Sequence, residues 1–300
     1  MADIGIIGAN GYIGRHVART LFKKGHTIVL MDKDPESIDQ HSNYHQIDLC
    51  RSDKFPQDLK KARHIFFLAG LTGTSIGQAT NRNFIETNEI GLLNFLEFCR
   101  TEILQAKIIF PSSRLVYKGK KNCSLNEDHA KNFNTIYAVT KFAGEQFLKI
   151  YQNCFGLDYV IFRIGVPYGN MIDDKLSYGT LKLFMETAGN GEDLLIFGNG
   201  VQKRSFIHIE DLANIIILGA FDKRTDNDVF NISGPDILSI RQVAEKIAGK
   251  YGVSVISVPW PEMAEKIESG DTILDSTKLD NILNYNYKES FAKWLKKMKA

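Results

Sequence analysis

Two side chains that could move a proton lie four residues apart near the middle of the chain. Tyr137 and Lys141 share one face of a helix that the pattern predicts over about residues 137–151, because residues four apart are neighbours on a helix. A nearby ammonium favours the phenolate and lowers the tyrosine pKa from its reference of about 10. A phenol that acts as a general base near neutral pH needs such a shift. The pair therefore predicts a tyrosine acid and base supported by a lysine.

Hydroxyl groups precede this helix in the sequence. The predicted strand 107–110 runs into Pro111, Ser112 and Ser113, so the hydroxyls stand at the carboxyl edge of a sheet, where α/β proteins place their ligands. A serine, a tyrosine and a lysine together can bind a hydroxyl or carbonyl group, move its proton and hold the ribose of a nicotinamide. A Tyr/Lys pair alone is common on surface helices, so its meaning depends on what surrounds it.

A glycine-rich turn near the start of the chain supplies that context. Residues 4–7 are apolar, and a helical pattern follows the turn that begins at Gly8. Gly8 permits the tight turn, Gly11 lets a backbone approach a pyrophosphate, and Gly14 lets the helix lie close to the strand. The unpaired N–H groups at the start of the helix then face the phosphates. The residues predicted here to bind a cofactor are Gly8, Asn10, Gly11, Tyr12, Ile13 and Gly14.

The ends of the following strands extend the cofactor prediction. Asp32 ends an apolar strand 18 residues after Gly14, roughly where a carboxylate meets an adenosine ribose. Asp48 could accept a hydrogen bond from the adenine amino group, or it could cap the next turn. The remaining predicted cofactor contacts are Leu49, Leu68, Ala69, Gly70, Asn88, Ser112, Tyr137 and Lys141.

Composition excludes several classes of protein. The 300 residues are 44% apolar, and 37 basic and 35 acidic residues are interspersed to a net charge of +2, so we expect no nucleic-acid partner. An apolar strand from residue 3 leaves no room for a signal segment, and no run of eighteen apolar residues predicts a membrane span. The cysteines show no C-x-x-C spacing and the seven histidines no metal-ligand spacing. We therefore expect a cytoplasmic protein with reduced cysteines and no metal.

Strand and helix patterns alternate along the first half of the chain. Further strands are predicted over residues 44–47, 64–68 and 107–110, which favours a doubly wound parallel sheet. Four glycines between residues 189 and 200 predict turns that flank one short strand. A long helix over residues 83–104 is apolar on more than one face, which indicates either a partner helix or second subunit, or a deeply buried helix in a monomer.

Taken together, the motifs resemble those of the extended short-chain dehydrogenase/reductase family, the NAD-dependent sugar-nucleotide epimerases, dehydratases and reductases. The glycines at 8, 11 and 14, the element Ser112 to Tyr117 and the Tyr137/Lys141 pair resemble three signatures of that family, in the same order. Residues 163–169, 197–211 and 275–278 resemble its later elements. The resemblance thus covers nearly the whole chain.

This resemblance implies roles for particular residues. Ser113 would be the catalytic hydroxyl, Tyr137 the acid and base, Lys141 the ribose ligand, and Asp32 the selector for NAD over its 2′-phosphate form. Phe197 and Arg204 would meet the base and the diphosphate of a nucleotide-sugar. The family also implies a homodimer built from a four-helix interface of residues 83–104 and 137–151.

The implied fold is α/β, a Rossmann-type doubly wound parallel sheet with a smaller C-terminal α/β substrate lobe. Residues 1–165 and 205–232 would form the NAD-binding domain, and residues 166–204 and 233–300 the substrate lobe.

Departures from the family pattern lie in the substrate half. Arg114 and Leu115 follow the serine where 4,6-dehydratases usually have an acidic pair, which argues against dehydration. Val166 replaces a frequent substrate-binding asparagine and cannot make its hydrogen bond. A second arginine is also absent, and Lys266, the nearest cation, would neutralise a diphosphate without gripping it in two places.

Three functions remain at this point. The first is an NAD-dependent 4-epimerase of a nucleotide-sugar, in which Tyr137 takes a hydroxyl proton, a 4-keto sugar turns over and hydride returns to its other face. The second is a reductase or dehydrogenase of a keto-sugar nucleotide, which needs the same Ser113, Tyr137 and Lys141. The third is a cofactor-binding protein without chemistry, and retention of both Tyr137 and Lys141 argues against it.

Overall fold

A computed structural model shows how the chain folds. It describes residues 3–51, 55–73, 81–103, 105–170, 172–173 and 179–298. The strands are β1 (Ile4–Ile7), β2 (Ile28–Asp32), β3 (Tyr44–Gln46), β4 (His64–Phe67), β5 (Lys107–Ser113), β6 (Ser124–Leu125), β7 (Tyr159–Ile164), β8 (Val166–Tyr168), β9 (Leu194–Phe197), β10 (Lys203–His208), β11 (Asp228–Ile232), β12 (Asp236–Ser239), β13 (Val255–Val258) and β14 (Ile273–Leu274).

The helices alternate with these strands. They are α1 (Tyr12–Lys23), α2 (Asn81–Ile85), α3 (Gly91–Glu102), α4 (Ile136–Phe155), α5 (Thr180–Gly189), α6 (Ile209–Phe221), α7 (Ile240–Tyr251), α8 (Glu262–Ile267), α9 (Thr277–Leu283) and α10 (Phe291–Lys297). One π-helical turn, Glu86–Ile90, joins α2 to α3. Among the described residues, no helix combines the length and the apolar character that crossing a membrane requires.

Seven strands form the central sheet, in the order β11, β7, β5, β4, β1, β2, β3. Every neighbouring pair in it is parallel. The chain moves outward from β1 to β3 and then crosses to β4 on the other side, so the strand order reverses between β1 and β4. The predicted doubly wound sheet is confirmed, and ligands of such sheets bind at the carboxyl edge where the order reverses.

Helices cover both faces of this sheet, as its mostly buried strands require. Val17 and Leu21 of α1 and Leu212 and Ile216 of α6 are buried against one face. The other face is covered by α3 and α4, through side chains such as Phe95. The N-terminal ends of α1 and α4 thereby lie at the edge where the parallel strands end.

Besides the two apolar cores on the faces of the central sheet, a third apolar core is formed by the segments beyond that sheet. It is built from β8, α5, β9, β10, α7 and α10, with Tyr168, Phe184, Phe206, Ile247 and Trp294 among its buried side chains. The strands there form two small sheets, β12-β10-β8 and β13-β9. Gly191, Gly198 and Gly200, which flank β9, all have positive φ, so the prediction of turns around one short strand is confirmed.

The predicted returning segment 205–232 divides between these layers. Its first residues, in β10, pair with β8 and β12. The rest enters the central sheet region as α6 and as β11, which pairs with β7. The domain boundaries given from the sequence stay a prediction.

Candidate active site

The turn after β1 has the geometry that the glycine spacing predicts. Gly8 has φ of +88°, and a Cβ there would lie 2.4 Å from the backbone nitrogen of Ala69. A Cβ on Gly14 would lie 2.0 Å from the carbonyl oxygen of Gly8. Gly11 is the N-cap of α1 and has no side chain of its own to cap the helix. The loop therefore passes close to β4 and leaves the first N–H groups of α1 for an anion.

Asp32 and Asn10 fix the loop that would face an adenosine. Asp32 accepts hydrogen bonds from the backbone N–H of Asn10 at 2.9 Å and of Lys33 at 2.7 Å. The amide of Asn10 donates to the carbonyl oxygen of Glu36 at 2.9 Å. Both backbone bonds hold the Asp32 carboxylate at the end of β2, with lone pairs left for the hydroxyls of a ribose.

A second acid, Asp34, strengthens the negative charge at this edge. The carbonyl oxygen of Asp34 accepts a hydrogen bond from the Tyr44 hydroxyl at 2.6 Å. Burial, followed by the charges of Asp32 and Asp34, raises the pKa of Tyr44 to about 12. Two carboxylates repel a 2′-phosphate. Asp34 is absent from the residues singled out in the sequence, because the ribose argument stops at the strand-end acid.

A cavity of about 290 Å³ lies against these groups. Its walls include Gly8, Asn10, Gly11, Asp32, Asp48, Leu49, Leu68, Ala69 and Gly70, which were predicted from the sequence, together with Asp34, Cys50, Leu71 and Thr87. Asp48 accepts a hydrogen bond from the backbone N–H of Cys50 at 3.0 Å. That bond supports the capping interpretation of Asp48, and its place on the cavity wall leaves the adenine contact open as well.

Asn88 lies in the π-helical turn and holds the loop after β4. Its side-chain oxygen accepts from the Leu71 N–H at 2.7 Å, and its nitrogen donates to the Leu71 carbonyl at 3.1 Å and to the Thr140 hydroxyl at 3.0 Å. The residue is buried. Asn88, which was predicted as a cofactor contact, therefore holds the loop after β4 against α4. Its partner on that helix, Thr140, is the residue before Lys141.

Lys141 connects the loop after β4 to the end of β5. Its ammonium donates to the carbonyl oxygen of Pro111 at 2.9 Å, and it lies 3.7 Å from the position that a Cβ of Gly70 would take. Burial lowers the pKa of Lys141 to about 8, although the charge of Glu145 acts in the opposite direction. Tyr137 lies one turn earlier on α4 and is partly exposed. The predicted lysine therefore stands between β4, β5 and the tyrosine.

The two serines at the end of β5 have different surroundings. Ser113 caps the turn that follows the strand by accepting from the Leu115 N–H at 3.2 Å. The Ser112 hydroxyl donates to the buried carboxylate of Glu145 at 2.5 Å. Ser112 therefore faces the protein interior with its hydroxyl, while the catalytic assignment of Ser113 stays a prediction.

A buried polar network that the sequence did not reveal lies behind the serines. Arg163 binds the Glu145 carboxylate through two nitrogens, at 2.9 and 2.6 Å, and also donates to the Tyr117 hydroxyl at 2.9 Å. The Tyr117 hydroxyl donates in turn to Asn231 at 2.7 Å. Glu145 lies four residues after Lys141, and that spacing is the one signal that could have pointed to it.

The substrate residues predicted from the family lie in different surroundings. Val166 begins β8 and packs against the third core. Phe197 ends β9, is 40% exposed and contacts Trp260, with ring centroids 5.4 Å apart. Lys266 is exposed and binds Glu262 on its own helix at 2.5 Å. A diphosphate contact from Lys266 stays a prediction, and the pair with Glu262 would have to open for it.

Another cavity, of about 560 Å³, lies beside α3 and is lined by Phe55, Asn94 and Phe98. The predicted site lies instead at the strand ends, where the glycine turn, Asp32 and Gly70 line the cavity of about 290 Å³. In the part of the chain that the structure describes, no cluster of three or more histidine, cysteine or acidic side chains could hold a metal ion.

Comparison with known proteins shows the family of the chain. Residues 4–233 match the model of the NAD dependent epimerase/dehydratase family. The chain belongs to that family. It is an enzyme of the extended short-chain dehydrogenase/reductase type, whose members are sugar-nucleotide epimerases, dehydratases and decarboxylases, and its cofactor is NAD. The glycine turn, Asp32 and Lys141 stay the residues predicted to hold that cofactor.

Similar proteins carry several activities of this family. A putative UDP-glucose 4-epimerase of Methanocaldococcus jannaschii is 25% identical over 82% of this chain and 82% of its own. A UDP-N-acetyl-alpha-D-glucosaminuronate decarboxylase of Bacillus cytotoxicus is 28% identical over 97% of this chain and 94% of its own. A solved UDP-N-acetylglucosamine 4-epimerase of Methanobrevibacter ruminantium has a TM-score of 0.83 at 25% identity, covering 98% of this chain and 96% of its own.

Proposed function

We propose that this enzyme is a 4-epimerase of a nucleotide-activated sugar. The observation that carries the proposal is the position of Lys141, which joins the cofactor loop at Gly70 to the strand that ends in Ser113, one helical turn from Tyr137. Such an arrangement serves proton transfer at a carbon that exchanges hydride with a nicotinamide.

In this proposal the residues act as follows. Tyr137 takes the proton of the sugar 4-hydroxyl, and bound NAD would supply the acceptor for the hydride of that carbon. The cation of Lys141 favours the phenolate and orients the ribose, and Ser113 donates a hydrogen bond to the oxygen that becomes a carbonyl. After the keto-sugar turns over, Tyr137 returns the proton when hydride adds to the other face.

The residue that follows the serine disfavours dehydration. Arg114 donates to the Thr272 hydroxyl at 2.7 Å. Its guanidinium stays protonated, so it cannot serve as the acid or base that expels a hydroxyl group. Leu115 has no titratable group. Decarboxylation or net oxidation uses the same tyrosine and lysine, and product analysis therefore has to separate those reactions from epimerisation.

The test is to incubate the purified protein with NAD and a panel of UDP-, dTDP- and GDP-sugars in deuterated water. Proton NMR then follows the configuration of the sugar. We expect a 4-epimer without deuterium at carbon 4 and without lasting reduction of the cofactor, because the same hydride returns. Stoichiometric NADH with an oxidised or decarboxylated product would instead assign a dehydrogenase or decarboxylase.

The cellular location follows the same line of inference. All four cysteines, Cys50, Cys99, Cys123 and Cys154, are free. We infer a reducing, cytoplasmic environment, which is also where nucleotide cofactors are available.

A further inference from the structure

Arg204 lies in β10 with its guanidinium nearly removed from solvent. The residue is 4% exposed. The side chain donates to the carbonyl oxygens of Lys203, at 2.9 Å, and of Gly270, and it forms an ion pair with the carboxylate of Glu268. The cation predicted to meet a diphosphate is thus already paired with an anion of this chain.

Glu268 belongs to the loop that follows α8. Its side chain is 26% exposed, and its carboxylate also accepts the backbone N–H of Gly270 at 2.9 Å. The carbonyl oxygen of Glu268 accepts a hydrogen bond from the side chain of Asn134 at 3.3 Å. Asn134 lies three residues before Tyr137, so the loop that carries Glu268 borders the catalytic helix.

A neighbouring acid, Asp271, shows what a structural carboxylate looks like here. Asp271 is buried and accepts the backbone N–H groups of Asn122 and Lys203, each at 2.8 Å. Those bonds hold two chain segments together and do not involve Arg204. Glu268 is more exposed, and in the described part of the chain the Gly270 N–H is the only main-chain group that bonds its carboxylate. The carboxylate can therefore leave the arginine at lower cost.

We propose that Glu268 determines specificity by occupying the position beside Arg204 that the substrate diphosphate needs. The inference rests on the proposed nucleotide-sugar function. In the free protein Glu268 neutralises a buried guanidinium, which would be costly to leave unpaired. When a nucleotide-sugar binds, its diphosphate displaces the carboxylate, because two anions beside one cation repel each other.

This arrangement separates binding from chemistry. Displacing Glu268 raises the free energy of the bound substrate and of the transition state alike, since the diphosphate is remote from carbon 4. The carboxylate therefore raises KM and leaves kcat unchanged. The Glu268 carboxylate also favours ligands whose anionic group can compete with it for Arg204. The affinity for a nucleoside without phosphate does not depend on this carboxylate.

The experiment compares Glu268→Gln and Glu268→Ala with the matched control Glu265→Gln. Glu265 is exposed on α8, the helix that precedes the loop of Glu268, and its replacement removes the same charge. Calorimetry on the NAD-loaded proteins measures the affinity for UDP, GDP, dTDP and CDP, and for the corresponding nucleosides. We expect both Glu268 variants to bind the preferred diphosphate about tenfold more tightly, the control to match the wild type, and nucleoside affinity to stay unchanged.

A second measurement guards against a folding defect. Glu268→Gln should lower the melting temperature of the free protein, and saturating diphosphate should restore it by more than it raises that of the wild type. With a turned-over sugar, KM should fall and kcat stay constant. Equal or weaker diphosphate binding by both variants would overturn the role of Glu268 and leave the proposed function intact. A wild type that binds NAD but none of the diphosphates would overturn both.

Discussion

At the scale of single residues, Lys141 has the clearest electrostatic signature. Its pKa of about 8 reflects burial, which penalises the ammonium more than the nearby Glu145 stabilises it. A lysine with such a pKa changes charge within the range where enzymes are assayed. In the proposed mechanism, the charge of Lys141 favours the phenolate of Tyr137.

The first prediction concerns pH. We expect kcat/KM to decline as the pH rises through about 8, because the neutral amine no longer favours the phenolate of Tyr137. In Lys141→Arg the cation persists to far higher pH, since a guanidinium has a pKa above about 12. That variant should be less active but lack the decline. The same decline in both proteins, with circular dichroism unchanged across the range, would assign it to another group.

The second prediction concerns the tyrosine. Tyr137→Phe removes the proton carrier and should lower kcat by about 10²- to 10⁴-fold, while NAD binding and thermal stability stay near those of the wild type. Tyr151→Phe is the control, because Tyr151 lies on the same helix with its hydroxyl 3.4 Å from Glu97 on the surface. Activity retained by Tyr137→Phe would refute its role as acid and base.

At the scale of elements, the glycine turn and α1 act as one unit. Gly14 lies inside α1, where alanine would ordinarily stabilise a helix by about 1 kcal/mol. A methyl group there would, however, meet the Gly8 carbonyl at 2.0 Å. The helix would have to move away from β1, and the N–H groups that are predicted to face the phosphates would move with it.

The third prediction follows from this clash. Gly14→Ala should lower the melting temperature and weaken NAD binding at least about tenfold, since about 1.4 kcal/mol of lost interaction suffices. The matched control is Gly249→Ala in α7, where a Cβ meets no atom within 4 Å and the change should be neutral or stabilising. Differential scanning fluorimetry with and without NAD measures both effects. Equal behaviour of the two variants would contradict the close approach of α1 to the turn.

Local spacing explains what could be predicted at this scale. Gly8, Asp32 and the Tyr137/Lys141 pair stand out because a turn, a strand end and a helical turn each fix chemistry within a few residues. The π-helical turn at Asn88 could not be foreseen, because its apolar pattern reads as one continuous helix. The pairs Arg204 with Glu268 and Arg163 with Glu145 form across 64 and 18 residues of chain, and tertiary packing creates them.

At the scale of the whole molecule, the doubly wound sheet was predictable because strand and helix patterns alternate from β1 to α4. The position of β10 in a small sheet could not be predicted, since the residue pattern of this strand suits both the central sheet and a small sheet. The surface available to a partner subunit is also a property of the whole molecule. The candidate surface consists of the outer faces of α2, the π turn and α4.

These faces carry an apolar surface that the central sheet does not use. Ile85 and Ile90 are each 43% exposed, Val139 is 42% exposed and Ile150 is 52% exposed. Val139 and Ile150 lie eleven residues apart, or about three helical turns, on one side of α4. Among the described residues, the buried side-chain nitrogen of Gln146 on the same helix has no hydrogen-bond partner. A second copy of the chain would cover these apolar side chains, which supports the homodimer that we propose.

The last prediction tests this dimer. Ile150→Lys places a charge in the proposed four-helix contact, where an unpaired ammonium is costly, and should convert a dimer of two 33.9 kDa chains into monomers. Leu183→Lys is the control, because Leu183 is 60% exposed on α5, away from the contact. Size-exclusion chromatography with light scattering measures the mass of each. A wild type that is monomeric at micromolar concentration would refute the dimer. If Ile150→Lys also lowers activity when it dissociates the dimer, α4 explains the loss of activity, because the helix that makes the contact also carries Tyr137 and Lys141.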